Sequence, residues 1–130
     1  MQIDYDSNYH LLKAINSEVN RFEYETDIKV HSKIDFWTAH IEKYNRGDCD
    51  DYTLTKRKLL MEAGVDYRAL FPTVCKVDGE GHLVLVVRTN KGDFVLDNMR
   101  DAILPVSALD YEWLFRLDPE TGQWLTLKPK

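Results

Sequence analysis

Cys49 stands in the stretch Gly47-Asp48-Cys49-Asp50-Asp51-Tyr52, a thiol set among aspartates just after a glycine. A cysteine attacks a carbonyl as its thiolate. It needs a base within hydrogen-bond reach and a third group that orients the base. Two later residues fit those roles: His82, which opens an apolar run, and Asp97 in Leu96-Asp97-Asn98. A cysteine at a helix start also gains from the positive end of the helix dipole, and the first-turn amides there can bind an oxyanion. The flanking Asp48, Asp50 and Asp51 work against it, because negative charge disfavours the thiolate. Two arrangements resolve the conflict. Either the carboxylates turn to solvent and stabilise only the helix start, or they hold a hard cation such as Ca²⁺, which would cancel the repulsion. Their spacing is not that of an EF-hand loop.

Each of these residues also has a plainer reading. Cys49 could be a small packed residue at a helix start. His82 could sit at a strand edge after the turn Asp78-Gly79-Glu80-Gly81, and Asp97 could form a turn with Asn98. The elements around them decide whether they meet. Leu11, Leu12, Ile15, Val19 and Phe22 recur at helical spacing and predict a helix from about Asn8 to Glu25, capped by Ser7 or Asn8. Thr26 to Lys33 reads as irregular, and a short helix is expected over Asp35–Tyr44. After Asn45-Arg46-Gly47 the residues Cys49–Ala63 favour helix, with Asp48 as its cap and Gly64 as its terminator. Tyr52, Leu59, Leu60 and Ala63 give it a side for the core.

The pattern then changes to strands: Thr73–Val77, the wholly apolar Leu83–Val87, Phe94–Leu96, Tyr111–Leu117 and Gln123–Leu127. Asn90-Lys91-Gly92 and Asp118–Gly122 are turn signals between them. Helices followed by an antiparallel sheet predict an α+β fold, with the cysteine at a helix N-terminus packed on the sheet. If the hairpin turns at Asn90-Lys91, Arg88 faces Asp93 and Val84 faces Asp97. His82 and Asp97 then share a sheet face as diagonal neighbours. A helix lying on that face would bring Cys49 to them.

Composition bounds the rest. A chain of 130 residues, 44% hydrophobic and 30% charged, predicts one domain over 1–130 with an ordinary core. A net charge of −5 with no basic run argues against nucleic-acid binding. No stretch reads as a membrane span, and the N-terminus lacks the pattern of a secretory signal, so a cytoplasmic protein is expected. Cys49 and Cys75 are the only cysteines and read as free thiols, with Cys75 in the core. His10, His31 and His40 have no metal-site spacing.

Val19-Asn20-Arg21-Phe22, Tyr24, Asp27, Asp35-Phe36-Trp37, Gly47-Asp48-Cys49-Asp50-Asp51-Tyr52, Lys56, Leu60, Gly64, Gly81-His82-Leu83-Val84-Leu85 and Leu96-Asp97-Asn98 together resemble the bacterial transglutaminase-like cysteine proteinases. The resemblance runs from about Val19 to Asn98. It implies a papain- or transglutaminase-like fold and a Cys-His-Asp triad, with Cys49 as nucleophile, His82 as general base and acid, and Asp97 as orienter. The best-known members of that family are periplasmic, calcium-dependent endopeptidases that cut a surface adhesin under the control of a cyclic-dinucleotide receptor. The resemblance therefore also implies a protein or peptide substrate, a regulatory protein partner, and calcium on Asp48, Asp50 and Asp51. The family's usual Glu after the cysteine is Asp50 here, one methylene shorter.

The expected activity is hydrolysis of a peptide or isopeptide bond through a thioester. The backbone amide of Cys49 would serve the oxyanion, with Trp37 as a second contributor or a cleft wall. The same triad with an amine acceptor would be a transglutaminase-type acyl transferase. The alternatives without catalysis are a peptide- or protein-binding domain and a calcium-binding module.

Overall fold

The computed structural model describes residues 2–21 and 47–127, with the backbone alone for 47–51. The expected helix over Asp35–Tyr44, the irregular stretch Thr26–Lys33, and residues Phe22 and Trp37 lie outside the described residues.

Helix α1 spans Tyr5–Asn20. It starts earlier than the expected Ser7 or Asn8 because Asp4 is the better cap. The Asp4 carboxylate accepts from the Ser7 amide at 2.9 Å and from the Ser7 hydroxyl at 2.7 Å, satisfying a first-turn donor. Its buried side is Leu12, Ile15, Asn16 and Val19.

Helix α2 spans Gly47–Glu62, so Asp48 lies inside the first turn and is not the cap. It stops where Gly64 takes φ +101°. The Gly64 amide donates to Met61 O at 3.1 Å and the Val65 amide to Leu60 O at 3.0 Å. That pair of bonds is a Schellman ending, completed by the apolar contact of Val65 and Leu60 within one cluster.

The sheet is antiparallel and holds β1 (Leu70–Val77), β2 (Glu80–Thr89), β3 (Gly92–Leu96), β4 (Leu104–Pro105), β5 (Glu112–Leu117) and β6 (Trp124–Thr126). Its order is β4-β3-β2-β1-β5-β6. β4 has no counterpart in the sequence reading, since a two-residue edge strand carries no periodicity. β1 begins before Pro72, which sits within it opposite Leu85. The hairpin register is the expected one: Arg88 pairs Asp93 and Thr89 pairs Gly92. Arg88 Nε lies 3.6 Å from Asp93 Oδ1.

The central strand β2 is apolar on both faces because both are covered. Leu85 and Val87, with Leu96 of β3, pack under Leu12, Ile15, Val19 and Leu60 of the two helices. Val84, Val86, Val95 and Phe71 form the other face, against Val106, Leu109, Tyr111 and Trp113. Val106, Leu109 and Tyr111 come from the crossover that carries the chain from β4 to β5, and Trp113 comes from β5 itself. The topology makes this crossover pass beneath β2 and β1, on the face away from the helices.

Candidate active site

His82 stands near the start of β2 and Asp97 immediately after the end of β3. His82 Nε2 and Asp97 Oδ1 are 2.8 Å apart. The pair is sealed, with side-chain exposures of 1% for His82 and 0% for Asp97. The diagonal relation read from the hairpin register is therefore made as a hydrogen bond. The turn-forming reading of Asp97 holds as well: Oδ1 accepts from the Met99 amide at 3.0 Å. Asp97 Oδ2 accepts a short hydrogen bond from the Tyr111 hydroxyl. That hydroxyl in turn accepts from Arg100 Nη2 at 3.2 Å. The Tyr111 ring stands edge-on to His82, with centroids 6.3 Å apart and planes at 84°.

These contacts fix the charge on Asp97. Burial alone would push its carboxyl up. The His82 hydrogen bond and charge, the Tyr111 hydroxyl and the Met99 amide outweigh that and hold it below the usual carboxylate range. Tyr111 is shifted the other way. Burial first, then its bond to the Asp97 carboxylate, raise its phenol well above the ordinary value.

Helix α1 holds the turn that carries Asp97. Asn20 Nδ2 donates to Asp97 O at 2.9 Å and to Arg100 O at 3.0 Å. Asn16 Nδ2 donates to Arg100 O at 3.1 Å and Asp101 O at 3.0 Å. Carbonyls that have left the sheet ladder find donors on a neighbouring helix, as buried backbone must.

Cys49 lies in the first turn of α2. Four residues on, one helical turn, the buried Thr53 Oγ1 donates to Leu83 O at 3.0 Å. The helix thus crosses the sheet beside His82, and its first turn continues beyond that crossing. One geometric expectation is corrected. The apolar side of α2 does not lie on the face of His82. Leu60 packs with Leu85 and Leu96, whereas strand alternation puts His82 with Val84 and Val86. Both sheet faces are apolar here, so the sequence pattern could not say which one the helix takes. Asp97 is contacted from both layers: Asn20 of α1 donates to its carbonyl and Tyr111 of the crossover to its carboxylate.

His82 Nδ1 is buried and makes no hydrogen bond among the described residues. With Nε2 committed to Asp97, Nδ1 is the nitrogen left for proton transfer. Asp48, Asp50 and Asp51 fall in the first turn of α2, with side chains outside the described structure, as is all of Trp37. Among the described residues no group of His, Cys, Asp and Glu converges as a metal site. Cys75 is fully buried, as its strand pattern predicts.

A helix-start cysteine and a buried His-Asp pair in this α+β topology invite comparison with thiol enzymes. The model of the bacterial transglutaminase-like cysteine proteinases (BTLCP) matches residues 2–130. The chain belongs to this family. Among solved structures this BTLCP chain is similar to Legionella pneumophila LapG. The calcium-bound form superposes with a TM-score of 0.67 at 24% identity, covering 92% of this chain and 68% of that one. An EGTA-treated form gives 0.66 at 26% identity over 90% and 66%. The BTLCP chain described here therefore spans about two thirds of LapG, and the shared fold is the transglutaminase-like one expected from the sequence. Among curated proteins none matches it.

Tyr111, Asn16 and Asn20 hold Asp97 and its turn, and Lys56 is buried on α2; residue types alone assigned none of these places. Tyr111 read as the start of a strand, and Asn16 was a polar gap in an apolar stripe. Lys56 carried a visible signal: it shares a helix side with Thr53 and Leu60, three before and four after, which puts a cation on a core-facing side.

Proposed function

We propose that this BTLCP chain is a thiol peptidase that cleaves a peptide or isopeptide bond with Cys49, His82 and Asp97. The observation that carries the reading is the buried His82–Asp97 hydrogen bond with Nδ1 left over, on a chain whose cysteine opens α2. Asp97, ionised, accepts the proton-bearing Nε2 and so keeps the Nδ1 lone pair for the thiol. The Cys49 proton passes to Nδ1, and the thiolate sulfur bonds to the substrate carbonyl carbon. The carbonyl oxygen becomes an oxyanion, which the first-turn amides of α2 can stabilise. The imidazolium then returns the proton to the leaving nitrogen as the C–N bond breaks, which leaves a thioester. Water, deprotonated by His82, cleaves the thioester and frees Cys49. An amine in place of that water would give transamidation from the same thioester.

Alkylation of Cys49 by iodoacetamide as a function of pH tests the assignment. The thiol is expected to titrate below the reference of about 8.5, and His82→Ala is expected to return it to the value of the urea-unfolded chain. The unfolded chain is the proper reference because Cys75 is buried and slow for steric reasons alone. A folded Cys49 that titrates like the unfolded thiol, with or without His82, removes the nucleophile assignment.

LapG has been solved calcium-bound, and the donor chemistry of Asp48, Asp50 and Asp51 suits a hard cation. Positions 48 and 51, three apart on α2, share one helix side, and position 49 belongs to another. We propose that these carboxylates hold Ca²⁺. Bound there, the ion supplies positive charge that offsets their repulsion of a thiolate. Calcium in excess over chelator is then expected to raise the melting temperature, by about 2.7 kcal/mol of stability at a hundredfold excess over the dissociation constant. Asp51→Asn should reduce that rise. Superimposable melting curves in calcium and chelator would exclude the ion.

A further inference from the structure

The hydrogen bonds that end on Asp97 run in one direction. Arg100 Nη2 donates to the Tyr111 hydroxyl at 3.2 Å, and that hydroxyl donates to Asp97 Oδ2. A guanidinium has donors and no acceptor, and a phenol has a single proton to give. With Arg100 donating, the Tyr111 proton is left for the carboxylate. The other oxygen, Oδ1, faces the Met99 amide at 3.0 Å and His82 Nε2 at 2.8 Å. An ionised carboxylate accepts from all three neighbours, which puts the imidazole proton on Nε2.

Tyr111 makes this contact from outside the hairpin. The ladder of β2 and β3 ends with the pair Leu85 and Leu96. Asp97 stands just beyond it, so no sheet bond holds its side chain. The torsion that turns a carboxylate about its own axis has broad preferences, and a turn there takes the accepting oxygen off His82. The Tyr111 hydroxyl on one oxygen and the Met99 amide on the other fix that angle. The tyrosine is itself well placed. Its ring packs with Val84, Val86 and Val95 on the crossover side of the sheet. Trp113 of β5 backs it, with ring centroids 5.4 Å apart, and its own ring stands edge-on to His82.

We propose that Tyr111 is a positioning residue of the site: its hydroxyl, aimed by Arg100, fixes the rotation of the Asp97 carboxylate and so keeps His82 in the Nε2–H form with Nδ1 free. Its effect on rate rests on the thiol-peptidase reading given above; its effect on the His82 ring does not. Burial and the bond to Asp97 hold the phenol above its ordinary range, so the donor keeps its proton at neutral pH.

Tyr111→Phe retains the ring and deletes only the donor. In protein labelled with ¹⁵N-histidine, at a pH where the ring is neutral, wild-type His82 should show one protonated and one unprotonated nitrogen, assigned by their loss in His82→Gln. In Tyr111→Phe the Nε2 proton should exchange with solvent about tenfold faster, and the two nitrogen shifts should move toward each other as the tautomers mix. On a quenched fluorescent peptide that the wild type turns over, kcat should fall by about 10- to 100-fold with KM unchanged, the scale of a misplaced catalytic group. Arg100→Met leaves the hydroxyl and removes what aims it. It should give a smaller change in the same direction, and no further change in the Tyr111→Phe background.

A His82 ring unchanged in Tyr111→Phe overturns the proposal, whatever happens to the rate. So does a loss confined to KM, which would make Tyr111 a substrate contact. A Tyr111→Phe chain that does not fold also overturns it, because the hydroxyl would then be a structural anchor. The ring is observed without substrate, so the two readings fail separately: an inert wild-type Cys49 removes the peptidase assignment, while the hold of Tyr111 on the His82–Asp97 pair is still decided by the ring.

Discussion

Cys49→Ala is expected to leave a folded protein with no measurable peptidase activity, a loss of about 10⁴-fold or more in kcat. In the proposed reaction the sulfur forms the thioester, and nothing else described in the site could replace it: Cys75 is sealed within the sheet, and the Tyr111 hydroxyl already donates to Asp97. The substitution falls in the first turn of α2, where alanine is a good helix former, so the stability change should stay within about 1 kcal/mol. The measurement is turnover of a quenched fluorescent peptide library, with circular dichroism of both proteins as the control for folding. Activity within tenfold of wild type would show that the thiol is not the nucleophile.

Asp97→Asn is expected to be nearly as severe, with a loss of about 10³- to 10⁴-fold in kcat and little change in fold. The carboxylate accepts on both oxygens: Oδ1 takes His82 Nε2 and the Met99 amide, and Oδ2 takes Tyr111. An amide has one acceptor to offer in place of two. If its NH₂ turns to His82, Nε2 must accept, the ring proton moves to Nδ1, and the nitrogen that serves as base in the proposed mechanism is blocked. If the NH₂ turns to Tyr111, it meets a hydroxyl that already accepts from Arg100. Either way one buried group is left poorly matched, at about 1–3 kcal/mol.

The pH dependence of that penalty is fixed in sign. The folded-state carboxyl of Asp97 lies below its ordinary value, so the folded protein binds this proton less readily than the unfolded chain does. Its stabilisation is complete above the unfolded value of about 3.9 and is lost as the pH falls through the folded one. Wild type and Asp97→Asn should therefore differ in melting temperature at pH 7 and converge in strong acid. A gap that persists unchanged through acid would show that Asp97 is not the ionised orienter.

Much of this site could be read from residue order because its decisive step is local. The hairpin of β2 and β3 turns at Asn90-Lys91, and the pairing of Arg88 with Asp93 fixes the register. Once the register is fixed, His82 and Asp97 have little freedom. The start of α2 around Cys49 was legible to within two residues: the helix begins at Gly47, and Asp48, expected as its cap, lies inside the first turn. Other features depend on contacts between distant segments. Tyr111 arrives from the crossover beneath the sheet, and no local pattern announces that a strand-start tyrosine will meet a carboxylate from another strand. The face taken by α2 was undetermined for a related reason: Val84, Val86 and Val95 are as apolar as Leu85, Val87 and Leu96, so either side could have received a helix. The early start of α1 turned on a single competition among polar residues, won by Asp4.

The two asparagines of α1 have a consequence for how the molecule opens. Asn16 and Asn20 hold the carbonyls of Asp97, Arg100 and Asp101 from outside the sheet. The loop bearing the Asp97 carboxylate cannot fray by itself as exposed loops commonly do. It is released only when α1 undocks, and undocking also uncovers Leu12, Ile15 and Val19. The His82–Asp97 pair and the first helix thus belong to one cooperative unit. Backbone amides of that turn should exchange with solvent at the pace of the helix, and any event that pries α1 from the sheet would silence the proposed chemistry without touching a catalytic atom.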